Sequence, residues 1–201
     1  MAKAIRSEFD WTLRDGTRLH MRPVATDDKD LLAGALPFIS AENLYRRFFM
    51  PVARLSAQQL RFLTEVDQVH HVAWLALAVD HPEQPLAGVC RCVQFSDQPE
   101  VAESALLVVD NWQHRGVGTL LLATLSVVAA HHGITTLRSF ALEENLPFLN
   151  TMMRLGARSR WEYANVRRVD LPVHADPADV PDAAGTDAFR RVLAEVRALL
   201  A

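Results

Sequence analysis

The stretch NWQHRGVGTLL, residues 111–121, sets two glycines among Gln113, His114 and Arg115 and then runs into leucines. Glycine carries no Cβ, so backbone amides there can close on an anion. A helix starting at this point would add unpaired N–H groups and the positive end of its dipole. His114 and Arg115 offer side-chain donors, the arginine as a fork that matches phosphate oxygens. The chemistry implied is capture of a phosphate or pyrophosphate, against the plainer alternative of a tight strand-to-helix turn. A dinucleotide fingerprint is excluded because Leu121 stands where a third glycine is needed, and a P-loop because Gly-Lys-Ser/Thr is missing. What remains is Gln113-x-x-Gly116-x-Gly118.

The elements that would hold this turn follow from hydrophobic pattern. FDWTLRDGTRLHMRPV alternates about Asp15-Gly16 and predicts a hairpin. Thr26 is placed to cap a helix with Asp27 and Asp28 in its first turn, Ser40 to cap a second, and Ser56 with Gln59 forms a capping box for a third. Three apolar runs, HVAWLALAV, LAGVCRCVQF and ESALLVV, predict neighbouring strands. A helix from about Val117 to His132 is ended by Gly133. Strand TTLRSFAL, a helix from Asn145 to Gly156 and one or two strands in RWEYANVRRVDL follow. The order β-α-α-α-β-β-β-α-β-α-β predicts an α/β or α+β single domain over 1–171. Residues 172–186 read as a Pro/Ala/Asp linker and 187–201 as an amphipathic helix. That helix must dock on its own body or on a second subunit, which leaves a homodimer open.

Bulk properties narrow the partners. A formal net charge of -3 over 201 residues draws neither nucleic acid nor an anionic membrane. No segment is apolar for long enough to span a bilayer, and the N-terminus lacks an apolar leader core, so a cytoplasmic location is expected. Cys90 and Cys92 read as two reduced thiols, and no Cys/His spacing suggests a metal. His70-His71 reads as structural, and Phe48 and Phe49 of YRRFF as core anchors.

With strand, glycine turn and apolar helix in sequence, Gln-x-x-Gly-x-Gly resembles the acyl-CoA-binding motif of the GNAT superfamily of N-acetyltransferases. EENLPFLNTMMRLGA resembles its later segment, in which an asparagine, here Asn145, precedes a glycine, here Gly156, by eleven residues. MRPVATDD, ISAENLYRRFFMPVARLSAQQLRFLTEVD and HVAWLALA resemble the bacterial protein-lysine acetyltransferases within it. The resemblance covers about residues 12–165, with departures at Ile39, Asn43 and Ala157. It implies a mixed twisted sheet with helices on both faces, splayed centrally to admit acetyl-CoA. Amides from Arg115, Gly116, Val117, Gly118 and Thr119, with Gln113 and His114, would hold the pyrophosphate. Leu107, Val108 and Val109 would meet the pantetheine arm and acetyl carbonyl, and Asn145 would contact the CoA arm or cap its helix. Tyr45 and Arg46, with Arg47, fall near the substrate entrance. No nucleotide-sensing domain of that branch is attached, so its regulation in cis is not expected.

Acetyl transfer needs a free amine lone pair, and an alkyl ammonium near pKa ~10.4 is almost fully protonated at neutral pH. Glu103, ten residues before Gln113, occupies the position of that branch's catalytic glutamate and is the expected general base, with partial burial beside Val101 and Leu106 raising its pKa. Met152 stands where many members carry a general-acid tyrosine. A small-molecule amine acceptor, and a CoA-binding module without catalysis, remain open.

Overall fold

The computed structural model describes residues 8–201; the first seven, on which the reading of the N-terminus partly rests, lie outside the described residues. Phe9–Thr12 (β1) and Arg18–Pro23 (β2) form the expected hairpin, turned at Gly16 with φ 88°. The helical stretch after it is capped differently from the expectation: Ala25 occupies the cap position, Thr26–Asp28 is one 3-10 turn, and Lys29–Ala35 (α1) follows. Asp28 closes the turn instead of Thr26. Its carboxylate accepts the Ala25 amide at 2.7 Å and also binds both terminal nitrogens of Arg22, at 2.7 and 2.6 Å, which a hydroxyl could not do. Ser40 does cap Ala41–Phe48 (α2), and Ser56 and Gln59 make the reciprocal box on Ala57–Thr64 (α3).

His71–Ala78 (β3), Leu86–Gln94 (β4) and Val101–Val108 (β5) continue the antiparallel run from the hairpin. Val117–His131 (α4) then crosses over to Thr136–Leu142 (β6), which lies parallel to β5. Leu146–Arg154 (α5) leads to Arg158–Tyr163 (β7) and Val166–Pro172 (β8), closing an eight-stranded sheet of order β1-β2-β3-β4-β5-β6-β8-β7. RWEYANVRRVDL is thus two strands, joined at Ala164 with φ 42°.

Register sorts the faces, because opposed residues of an antiparallel pair share a side. Val93 with Glu103, Arg91 with Ala105 and Val89 with Leu107 look toward the N-terminal helices. The Arg91 guanidinium reaches the Leu63 carbonyl of α3 at 3.1 Å. Gly88 with Val108 and Cys90 with Leu106 look toward α4. Gly88 is required there: a Cβ would stand 2.8 Å from the Leu107 carbonyl oxygen and 2.8 Å from Leu121 Cδ1.

Asp187–Leu200 (α6) settles the docking of the tail. It packs on α4 of its own chain through buried Phe189, Leu193 and Val196. The preceding segment is tied down as well, with His174, Val180 and Thr186 buried and the His174 ring nitrogen on the Leu155 carbonyl at 2.8 Å.

The feature that makes a site is a failure of pairing. β5 and β6 match only from Val101–Glu103 to Thr136–Arg138 and then part. A 2.8 Å hydrogen bond between the buried Ser104 and Ser139 hydroxyls marks the fork.

Candidate active site at the splayed strands

Beyond the fork the open edge of β5 ends at Val108, and a 3-10 turn over Asp110–Trp112 leads to His114, at φ 59°, and Gly116, at φ 97°, which caps α4. A β-carbon would strain the Gly116 backbone, which is why glycine stands there. The Leu120 amide makes the first bond of the helix, to the Gly116 carbonyl. The amides of Val117, Gly118 and Thr119 precede that ladder and have no carbonyl one turn back. They front a cleft of about 560 Å³ between α4 and α5. Of the expected cofactor residues, Leu107, Val108, Gln113, His114, Gly116, Gly118, Thr119 and Asn145 line it. Asn145 stands at the cap position of α5, yet its side chain makes no cap hydrogen bond and faces the cleft.

The side chains of the other three expected residues are elsewhere, although Val109 and Val117 were expected to act through their backbone. Val109 and Val117 are core residues, 0% and 1% exposed. The Arg115 guanidinium donates to Asp15 at 2.6 Å and to the Thr17 hydroxyl, and stacks 4.6 Å over Trp112, so its charge anchors the first hairpin instead of the cleft. Arg115 holds the Asp15 carboxyl well below the usual carboxylate range. Sequence spacing shows which backbone turns, but not which way a long side chain leaves it.

Two features were not foreseen. Asn43 of α2 donates to the Val108 carbonyl at 2.9 Å and to Asp110 Oδ1 at 2.9 Å, while Asp110 Oδ2 accepts the Ser40 amide. The Gln113 amide reaches the same two acceptors at 3.4 Å. Together they tie α2 to the open end of β5. The other is the tail: Gly185, Thr186 and Phe189, with Arg154, wall the far end of the cleft. The Asn43 contacts join residues 65 positions apart, and nothing periodic in the sequence announces them.

On the other side of the fork lies a smaller pocket of about 100 Å³, lined by Arg46, Arg47, Phe49, Glu103, Ser139 and Phe140 among others. It shares Asn43, Arg46, Leu106, Asn145 and Phe148 with the cleft, so the two adjoin at the splay. Arg46 belongs to both and pairs with Glu42. Tyr45, by contrast, points outward, 41% exposed, and lines neither. Glu103 lines the pocket, but it is exposed where partial burial was expected.

Burial shapes the charges around it. Arg47 has its pKa lowered by desolvation, against which the Glu103 carboxylate acts. Arg91, 4% exposed, is pushed down to about 9 by burial and then by Arg47. Its partners are the Leu63 carbonyl and a His71 ring nitrogen at 3.0 Å, and His71 is itself lowered to about 4, by burial first and by Arg91 second. Cys90 and Cys92 are buried free thiols, the latter pushed up to about 12 by burial, which leaves neither suited to act as a nucleophile. Among the described residues no three His, Cys, Asp or Glu side chains gather as metal ligands, and no helix is long and apolar enough to cross a membrane.

Comparison with known proteins gives one consistent family. The acetyltransferase (GNAT) domain model matches residues 18–158. Acetyltransferase Pat of Mycolicibacterium smegmatis is 33% identical over 170 residues, covering 84% of this chain and 48% of that protein, so the chain spans about half the length of this relative. The crystal structure of the GNAT domain of S. lividans PAT superposes with a TM-score of 0.74 at 29% identity, over 82% of this chain and 96% of that one. A cAMP-binding acyltransferase from Mycobacterium smegmatis superposes with a TM-score of 0.59 at 26% identity, over 98% of this chain and 57% of that one.

Proposed function

The chain belongs to the GNAT acetyltransferase family and is an acyltransferase, and from that premise we propose that it moves acetyl from acetyl-CoA to a primary amine, a protein lysine side chain. The observation that carries this reading is that the two pockets adjoin at the β5–β6 fork. One is a long cleft headed by unpartnered helix amides, suited to a pyrophosphate and its pantetheine arm. The other is a small pocket holding a carboxylate. The lysine acceptor rests on the resemblance of the N-terminal helices to the protein-lysine acetyltransferases.

In this reading the Glu103 carboxylate takes a proton from the acceptor ammonium, directly or through a water. The freed nitrogen attacks the thioester carbonyl carbon. As the C–N bond forms the carbonyl electrons move to oxygen. Their return breaks the C–S bond, and the second nitrogen proton leaves to solvent. The leaving thiolate takes its proton from water, or departs as the anion stabilised by the dipole of the α4 N-terminus, since Met152, buried on the cleft wall, has none to give. The open-edge backbone from Leu106 to Val108 would hold the arm, displacing Asn43 or Gln113 from the Val108 carbonyl.

Replacing Glu103 with Gln tests the assignment. Acetyl-CoA binding by calorimetry is expected to stay within error while the rate of thiol release falls by at least ~100-fold, the usual contribution of a general base. Unchanged turnover sinks the base. Binding without turnover in the unaltered protein, on any amine or lysine peptide, sinks the transferase reading itself.

A further inference from the structure

Glu103 sits among cations that no other carboxylate balances. Arg91 is opposed to Ala105, two residues along β5 from Glu103 on the same face, the diagonal separation of about 7 Å across an antiparallel pair. Arg47 enters from α2 and lines both the Glu103 pocket and an apolar cavity of about 40 Å³ behind it, which Arg91 also lines. Neither guanidinium is in an ion pair among the described residues. Arg91 is held by neutral acceptors, and Arg47 stacks 5.0 Å over the Phe48 ring.

The other charges facing this pocket are already spent. On α2, Arg46 pairs with Glu42. On β3, His71 is held neutral against Arg91. On β6, Arg138, opposite Glu103, bonds Asp170 at 2.8 Å, and that carboxylate is shared with Arg168 of β8. Glu143 and Glu144, before α5, are exposed and do not line the pocket. One buried guanidinium, Arg91, and one half-buried, Arg47, therefore stand against one carboxylate.

We infer that Arg47 and Arg91 favour the neutral form of the incoming amine in the acceptor pocket, with Arg47 the group on the pocket wall and Arg91 acting from behind it. An ammonium entering the pocket meets a net positive surround, so its proton is shed at a lower pH than in water. At about 7 Å and an effective dielectric of about 20, one cation moves such an equilibrium by about 1.7 pH units, less where solvent reaches the pocket. This answers the need to deprotonate a strongly basic amine without burying the base. The inference rests on the amine-acetylation reading above.

The test is the pH profile of kcat for a lysine peptide that the unaltered enzyme acetylates, with both the peptide and acetyl-CoA saturating. In Arg47→Gln the acid limb is expected to move up by about one pH unit, so that turnover is about tenfold down at pH 7 and recovers as the pH rises. Arg47→Lys is expected to keep the limb in place. A loss equal at every pH, or a limb that does not move in a variant whose melting temperature and acetyl-CoA affinity are unchanged, overturns the inference. Should Arg47→Gln not fold, the unaltered enzyme decides alone: its acid limb must lie at least a unit below the pKa of the peptide amine in solution, and a limb at that pKa overturns the inference. Failure of the base itself is read separately, from Glu103→Gln.

Discussion

Replacing Gly118 with Ala separates a glycine kept for the fold from one kept for a ligand. Gly118 lies in the first turn of α4 with no positive φ, and a Cβ built on it meets only Val108 Cγ2, at 3.6 Å, an ordinary van der Waals contact. Nothing in the protein resists the methyl, and alanine is the better helix former by up to about 1 kcal/mol, less in a first turn. The free protein is expected to hold or gain slightly in melting temperature. The methyl nevertheless projects where Gly118 lines the cleft, beside the amides proposed to meet pyrophosphate. Losing one charge-assisted amide hydrogen bond costs about 1.5–3 kcal/mol, or roughly a 10- to 150-fold rise in Kd for acetyl-CoA. Differential scanning fluorimetry without ligand and calorimetry with acetyl-CoA read the two effects. Gly116→Ala is the control: φ 97° makes it costly to the fold by about 1 kcal/mol with no steric contact closer than 4.0 Å. Unimpaired acetyl-CoA binding in a stable Gly118→Ala protein refutes the cradle.

Gly88→Ala is expected to lose about 1–3 kcal/mol in urea unfolding, because one of the two atoms 2.8 Å away is a backbone carbonyl that cannot swing aside; a loss within error would mean that β4 and β5 slide freely. His71 predicts an acid-labile fold. Its imidazole is held neutral down to about pH 4 in the folded chain, whereas the unfolded chain binds a proton below about 6.5, so stability falls as pH drops between those values. The ceiling is about 3 kcal/mol, reduced by partial exposure, and His71→Gln should flatten that part of the curve; parallel curves for the two proteins contradict it. Arg115→Ala should leave the Kd for acetyl-CoA within about threefold, since the guanidinium serves Asp15 and Trp112, and a tenfold weakening would return that side chain to the ligand.

The fold was largely legible because its signals are local. Asp15-Gly16, the Ser40 and Ser56 caps, and the glycines closing α4 and α5 fix element ends by chemistry within four residues. Thr26 misled because Asp28 competes for the same turn with a charge that Arg22 satisfies. In the candidate site, the backbone of residues 113–119 was legible and the directions of side chains were not. Arg115 leaves the cleft for a partner 100 residues earlier, and Asn43 enters it to bond a carbonyl 65 residues later. Glu103 was placed by resemblance, but its surroundings depend on Arg91, twelve residues away across a strand pair, and Arg47, on another layer. Neither carries a pattern that marks it as a neighbour.

One strand serves both proposed ligands, and the alternation of its side chains explains how. Along β5 the odd positions Glu103, Ala105 and Leu107 face the N-terminal helices, while Ser104, Leu106 and Val108 face α4. In a sheet zipped along its length these sides would never communicate, because the neighbouring backbone seals them apart. Here β6 leaves after three paired residues, and the Ser104–Ser139 bond is the last link before the gap. Leu106, exposed by that departure, lines both pockets, as do Asn145 and Phe148 from beyond β6. On the proposed reading the gap would therefore bring an amine from one face and a thioester from the other onto a single open backbone edge. On that reading the same geometry separates the two determinants of function: the α4 side, built on glycines and amides, would hold the CoA head, while the choice of acceptor would fall to the α2 residues around Arg47.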